Sequence, residues 1–122
     1  MYYFSDVQYK TILANRDDFD LKDSVLVNCQ QMIETLLKWL LIDRDGMCFR
    51  SHDLSSLFKD LNEENYETYS VLLTDLTNCS YVVDNYVDYS KEEFTVMVDR
   101  SLELRTYLLS FKQPRTKKSN KF

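Results

Sequence analysis

Residues able to do chemistry fall in two places along the chain. The first is Arg50-Ser51-His52-Asp53, which brings a permanent cation, the only histidine and a carboxylate together within one short stretch. A histidine can take a proton from a hydroxyl near neutral pH while an arginine neutralises phosphate oxygens, so the group suits phosphodiester cleavage or anion binding. Placed at the start of a helix, it would also have backbone N–H groups and the helix dipole aimed at a phosphate. A capping histidine, hydrogen-bonded to its neighbours, is the competing reading. The second place is Gln30, Gln31, Glu34 and Lys38. Gln30, Glu34 and Lys38 recur at i, i+4 and i+8, which makes them one polar stripe on a helix. Glu34 preceding Lys38 is the favourable order for an ion pair, worth about 0.2–0.5 kcal/mol. A polar ridge of this kind can line a nucleotide cleft inside a bundle, or it can simply be a solvated or interhelical hydrogen-bonding ridge.

Other chemistries find no support. The chain has no Gly-rich phosphate loop, no Ser/His/Asp order and nothing that resembles a cysteine nucleophile paired with a histidine. Cys29, Cys48 and Cys79 are odd in number and widely spaced, and one histidine leaves zinc short of ligands. Asp17, Asp18, Asp20 and Asp23 lack the spacing of a calcium loop and read as helix caps. No metal and no cofactor is expected.

The elements that must position these residues are helices. From Ser24 to Ile42 nineteen residues pass without Gly or Pro. Val25, Cys29, Met32, Ile33, Leu36, Leu37, Leu40 and Leu41 recur at helical spacing. The second half, LLKWLLI, is apolar almost all round, so other helices or a second subunit must enclose it. Gly46 follows as the left-handed stop. Before it, Ser5 and Gln8 read as a capping box and Phe4 and Tyr9 as a hydrophobic staple, opening a helix over about 6–19. That helix should bury Tyr9, Ile12, Leu13, the stem of Arg16 and Phe19. After it, Ser51 or Asp53 caps a short helix with Leu54, Leu57, Phe58 and Leu61, and a turn at 62–65 leads to a helix with Tyr69, Leu72, Leu73 and Leu76. Residues 78–90 are expected to continue helically into an irregular link. Ser90-Lys91-Glu92-Glu93 opens a last helix bearing Phe94, Met97, Val98, Leu102, Leu104, Leu108 and Leu109, stopped near Pro114.

The chain has 122 residues with a single Gly and a single Pro, which starves an all-β fold of turns and leaves an all-α bundle of one domain. Its formal net charge is −5, unevenly spread. Residues 1–111 hold all 20 acidic groups and ten of the 15 basic ones, while residues 112–122 hold five basic groups and no acid. An acidic body repels nucleic-acid phosphates over a broad surface, and the short basic stretch attracts them. Residues 112–122 read as a basic, disordered, solubilising C-terminal tail. The apolar run is too short to span a bilayer, which takes about 20 residues. With no signal-peptide pattern and odd cysteines, a reduced cytoplasmic protein without membrane attachment is expected. Nine tyrosines and seven phenylalanines are a surplus for one core, and with Trp39 they suggest a homodimer interface.

The stretch Cys29-Gln30-Gln31-Met32-Ile33-Glu34-Thr35-Leu36-Leu37-Lys38 resembles the core of the second helix in HEPN domains (higher eukaryotes and prokaryotes nucleotide-binding). Gly46, His52-Asp53-Leu54 and the aromatic-rich link Tyr81 to Tyr89 follow in the same order. The similarity covers most of residues 6–111, so residues 1–111 read as one HEPN-like domain. The resemblance implies an up-and-down bundle of four to five helices, commonly homodimeric. It further implies a nucleotidyltransferase as partner, for which such chains act as substrate-binding subunits, or membership of a toxin–antitoxin pair. Ligand contacts would then fall to Gln30, Gln31, Glu34, Lys38, Arg50, His52 and Asp53. Catalytic members are metal-independent ribonucleases with an Arg four to six residues before a His. Here Arg50 stands with one residue between and Arg44 with seven. The leading expectation is therefore a non-catalytic nucleotide-binding module, and the alternative is a ribonuclease toxin cleaving RNA with Arg50 and His52.

Overall fold

A computed structural model describes residues 2–47, 53–79 and 89–111, with side chains from residue 5 onward. Within these residues there are five α-helices and no strand: α1 (Tyr2–Asn15), α2 (Lys22–Asp45), α3 (Leu54–Asn62), α4 (Tyr66–Cys79) and α5 (Lys91–Leu109). Two 3-10 turns, Phe19–Leu21 and Glu63–Asn65, lead into α2 and α4. The all-α bundle expected from the sequence is what forms.

The centre of the bundle is α2. Leu36, Leu37, Leu40 and Leu41 have no exposed surface, and Trp39 packs half-buried against the same core. The helix touches α1, α3, α4 and α5. Enclosure is therefore supplied within one chain, except at Ile42, which is 37% exposed, and at the flank carrying Lys38. Gly46 ends α2 in the left-handed region (φ 81°), its N–H donating to Ile42 O at 2.7 Å. A non-glycine residue there would carry the cost of an unfavourable backbone conformation. Ser90 caps α5 with a complete capping box: its Oγ accepts from the Glu93 N–H, and Glu93 Oε1 accepts from the Ser90 N–H. Asp53 caps α3, its Oδ1 accepting from the Ser55 N–H at 3.0 Å.

The first helix departs from the expectation. It begins at Tyr2, passes through Ser5 without a break, and ends at Asn15. Ser5 is 2% exposed inside the helix and is not its cap. The expected cap is a local signal, and residues 2–4 contain neither Gly nor Pro to stop a helix. Phe19 lies beyond the helix in the first 3-10 turn, and Leu13 is 42% exposed instead of buried. The inner face of α1 has little apolar surface, and Ile12 is its one fully buried described apolar side chain. Polar contacts hold it instead. Arg16 pairs with Asp99 on α5, and Arg105 stacks 3.6 Å from the Tyr9 ring centroid with Asp6 at 3.9 Å. Of the acids expected as caps, Asp18 caps the 3-10 turn through the Asp20 N–H, while Asp23 lies in the first turn of α2, where the dipole favours its charge, and α2 itself has Leu21 at its N-cap and no side-chain cap.

Several expectations fall on residues outside those described: the Phe4 side chain of the staple, the Ser51 alternative cap, the Arg50 and His52 candidates, the link after Cys79, the stop near Pro114 and the character of the tail. The described tyrosines pack within the single chain. Tyr69 is 7% exposed, and Tyr9, Tyr66, Tyr89 and Tyr107 lie partly buried against the core. Tyr107 Oη accepts from both Asn62 Nδ2 (2.8 Å) and Asn65 Nδ2 (2.5 Å), tying the end of α5 to the second 3-10 turn.

If α2 is enclosed as described, Leu40→Ala removes about 2–5 kcal/mol of stability through lost burial and a cavity. Ile42→Ala, two positions on and partly in water, removes about 1 kcal/mol or less. Urea denaturation of both variants checks this, and equal losses would contradict the enclosure.

Candidate functional site

The polar stripe expected on α2 is present as a connected line. Gln30 is 3% exposed, and its Nε2 donates to Glu34 Oε1 at 2.6 Å. Lys38 Nζ donates to Glu34 Oε2 at 3.0 Å, with 21% and 15% of the two side chains exposed. One carboxylate thus joins a buried amide to a half-buried ammonium. The low exposure makes these bonds stronger than their counterparts in water and makes an unmade one costly. The end of the line that meets solvent is Lys38, whose ammonium carries three donors.

Gln31 is turned outward, and its Oε1 accepts from Gln8 Nε2 of α1 at 3.3 Å. It borders the line without joining it. Asp53 is exposed and busy as a cap: Oδ1 takes the Ser55 N–H and Oδ2 takes the Ser56 Oγ–H, both at 3.0 Å. Arg50 and His52 lie outside the described residues. Arg44, the other arginine preceding His52, is committed elsewhere. Its Nε and Nη2 donate to the Asp45 carboxylate at 2.7 and 2.6 Å, its Nη1 to Leu61 O at 3.2 Å, and Asp60 lies at 3.6 Å. The Asp45 hydrogen bonds hold its guanidinium above its ordinary pKa. It clasps α2 to α3 and has little left for a phosphate.

The two described thiols, Cys29 and Cys79, are held protonated. Burial pushes Cys29 up to about 12, a hydrogen bond with Ser101 only partly opposing it. Burial also raises Cys79, again against a hydrogen bond, in this case with Tyr89. A protonated, fully buried thiol such as Cys29 is inert. Among the described residues no group of three or more His, Cys, Asp or Glu could hold a metal ion. No helix among them is long and apolar enough to cross a membrane.

Two features were not visible in the pattern of residue types. The contacts Arg105–Tyr9 and Arg16–Asp99 join positions far apart in sequence, for which no local signal exists. An open groove runs along α4, lined by Tyr66, Glu67, Ser70, Val71, Thr74 and Asp75. Val71, off the stripe of Tyr69, Leu72, Leu73 and Leu76, was its one sequence-level hint.

A central helix with a half-buried polar line, clasped by four others, defines an all-helical bundle. A sequence model of the HEPN domain matches residues 12–111, and the chain belongs to that family. Comparison with curated proteins and with solved structures finds no match. Membership points to a nucleotide-binding or ribonuclease-like module as the class of function.

The line depends on Glu34. Glu34→Ala leaves the buried Gln30 amide without its acceptor and should cost about 1–3 kcal/mol, whereas Glu34→Gln retains an acceptor oxygen and costs clearly less. Chemical denaturation of the two variants reads the difference, and equal costs would mean that the Gln30 bond contributes nothing.

Proposed function

We propose that this chain is a non-catalytic HEPN-like binding module, acting as a homodimer and serving as partner or substrate-binding subunit of a nucleotidyltransferase. A nucleotide is its proposed ligand, held beside Gln30, Glu34 and Lys38, with Gln31, Arg50, His52 and Asp53 as further contacts. The observation that carries this reading is the connected line on α2. Its amide and carboxylate are already hydrogen-bonded and half-buried, so little ordering cost remains when a ligand arrives. Lys38 offers a cation at the solvent end for a phosphate, and Glu34 is a stationary acceptor beside it for amino or hydroxyl groups.

Two observations favour binding over catalysis. Neither Arg50 nor Arg44 has the family spacing to His52, and Arg44 is held by Asp45 and Asp60. The acidic body, with a net charge of −10 over residues 1–111, favours a small ligand or a protein partner over a long RNA track.

Titration calorimetry of the full chain with ATP tests the nucleotide part. Binding with a Kd of about 1 mM or tighter is expected, and Lys38→Met should weaken it about tenfold, the equivalent of one charge-assisted contact of about 1.4 kcal/mol. Absence of heat at millimolar ATP, GTP, CTP and UTP removes the nucleotide and leaves protein partners. Light scattering on the same sample should give twice the chain mass, and a monomer contradicts the dimer. Incubation with single-stranded RNA should leave it intact. Cleavage that disappears in His52→Ala would overturn the non-catalytic reading in favour of the ribonuclease toxin.

A further inference from the structure

Val71 is 73% exposed, the most exposed large apolar side chain among the described residues. It sits in the middle of the groove along α4, a space of about 390 Å³ whose lining repeats every fourth residue from Tyr66 to Asp75. Glu67 and Asp75 lie on either side of it, and neither side chain makes a hydrogen bond or ion pair with a described residue. Burial and the nearby Glu93 push the Asp75 carboxyl above its ordinary pKa, and the cation at the groove's edge, Lys59, lies over the Tyr66 ring, 4.5 Å from its centroid. A valine in water between two carboxylates that no described residue pairs suits a basic, partly apolar strand.

The same chain supplies such a strand. Residues 112–122 carry Lys112, Arg115, Lys117, Lys118 and Lys121, no acid, and a phenylalanine at 122. They follow the end of α5, which packs beside the N-terminal end of α4. The Phe111 ring meets the Tyr107 ring edge-on at 5.0 Å, Tyr107 packs on Tyr69 of α4 at 5.6 Å, and Tyr107 Oη takes a hydrogen bond from Asn65, the residue before Tyr66. The groove is about 14 Å long from Tyr66 to Asp75 at the rise of an α-helix. Eleven residues reach up to roughly 36 Å when extended, and the residue before a proline, Gln113, is biased towards extension. The reach is ample.

We propose that the α4 groove around Val71 is the docking site for this chain's own residues 112–122, with Glu67 and Asp75 receiving the lysines that follow Pro114. This assignment is independent of the nucleotide reading. It gives the opposite charges of body and tail a single meeting place, and it makes exposure of the basic segment depend on ionic strength.

Zero-length carbodiimide cross-linking of the full chain, mapped by mass spectrometry, tests the proposal. A mixture of ¹⁴N- and ¹⁵N-labelled protein separates links within a chain from links between chains. Links from Lys117, Lys118 or Lys121 to Glu67 or Asp75 should form within one chain. They should exceed links to other carboxylates by about fivefold and fall about fivefold when salt is raised to about 0.5 M. Val71→Lys, on an exposed position that leaves both carboxylates in place, should lower them by a similar factor, with circular dichroism confirming that the helices persist. Links scattered evenly over the acidic surface overturn the proposal. So do links formed only between chains, which hand the groove to a second copy, and links unaffected by Val71→Lys.

Discussion

Burial of α2 is the constraint from which the rest follows. Nine apolar side chains and Gln30 are buried along this one helix, and full burial of a Leu or Ile contributes about 1.5–3 kcal/mol before entropy is counted. No single neighbour can cover such a helix, because its apolar positions after Leu36 point in several directions. Four other helices close round it, and their own sequences need supply only one apolar stripe each. That division explains why α3 is short and strongly one-sided, with Leu54, Leu57 and Phe58 buried.

The same constraint creates the candidate site. Gln30 falls on a buried position of a helix that must be dry, so its amide requires a partner inside the fold. Glu34, one turn on, provides it and is in turn neutralised by Lys38 as the helix surface opens to solvent. The polar line is therefore graded, from 3% exposure at Gln30 to 21% for the Lys38 side chain. A graded line has a fixed inner end and an accessible outer one, the layout of a site that presents a cation without letting it wander.

Much of this was legible in the residues. The α2 periodicity, the Gly46 stop, the Ser90 capping box and the stripes of α3, α4 and α5 all appear as expected, because each is written in residues within one or two turns of each other. The stripe Gln30–Glu34–Lys38 was legible for the same reason. Where the reading of Ser5 as a cap went astray, the cause was a short polar signal that packing overrode. Arg105, Asp99 and Gln31, which fasten α1 and the residue after it to the bundle, come from other helices. Contacts such as Tyr107 with Asn62 and Asn65 span more than forty positions and leave no trace in local spacing. Part of the tyrosine surplus is taken up inside the chain: Tyr69 and Tyr107 pack on the core and on each other.

Native-state hydrogen exchange measures the central claim, that α2 is the enclosed axis of the bundle, most directly. Core elements exchange only through global unfolding, whereas peripheral ones open locally at lower free energy. The amides from Cys29 to Leu41 should be the slowest in the chain, with an opening free energy equal to the global stability, and α1 with its polar inner face should exchange ahead of them. Should the amides around Trp39 and Leu40 exchange as fast as those of α1, α2 is not enclosed, and the polar line it carries is not held in place.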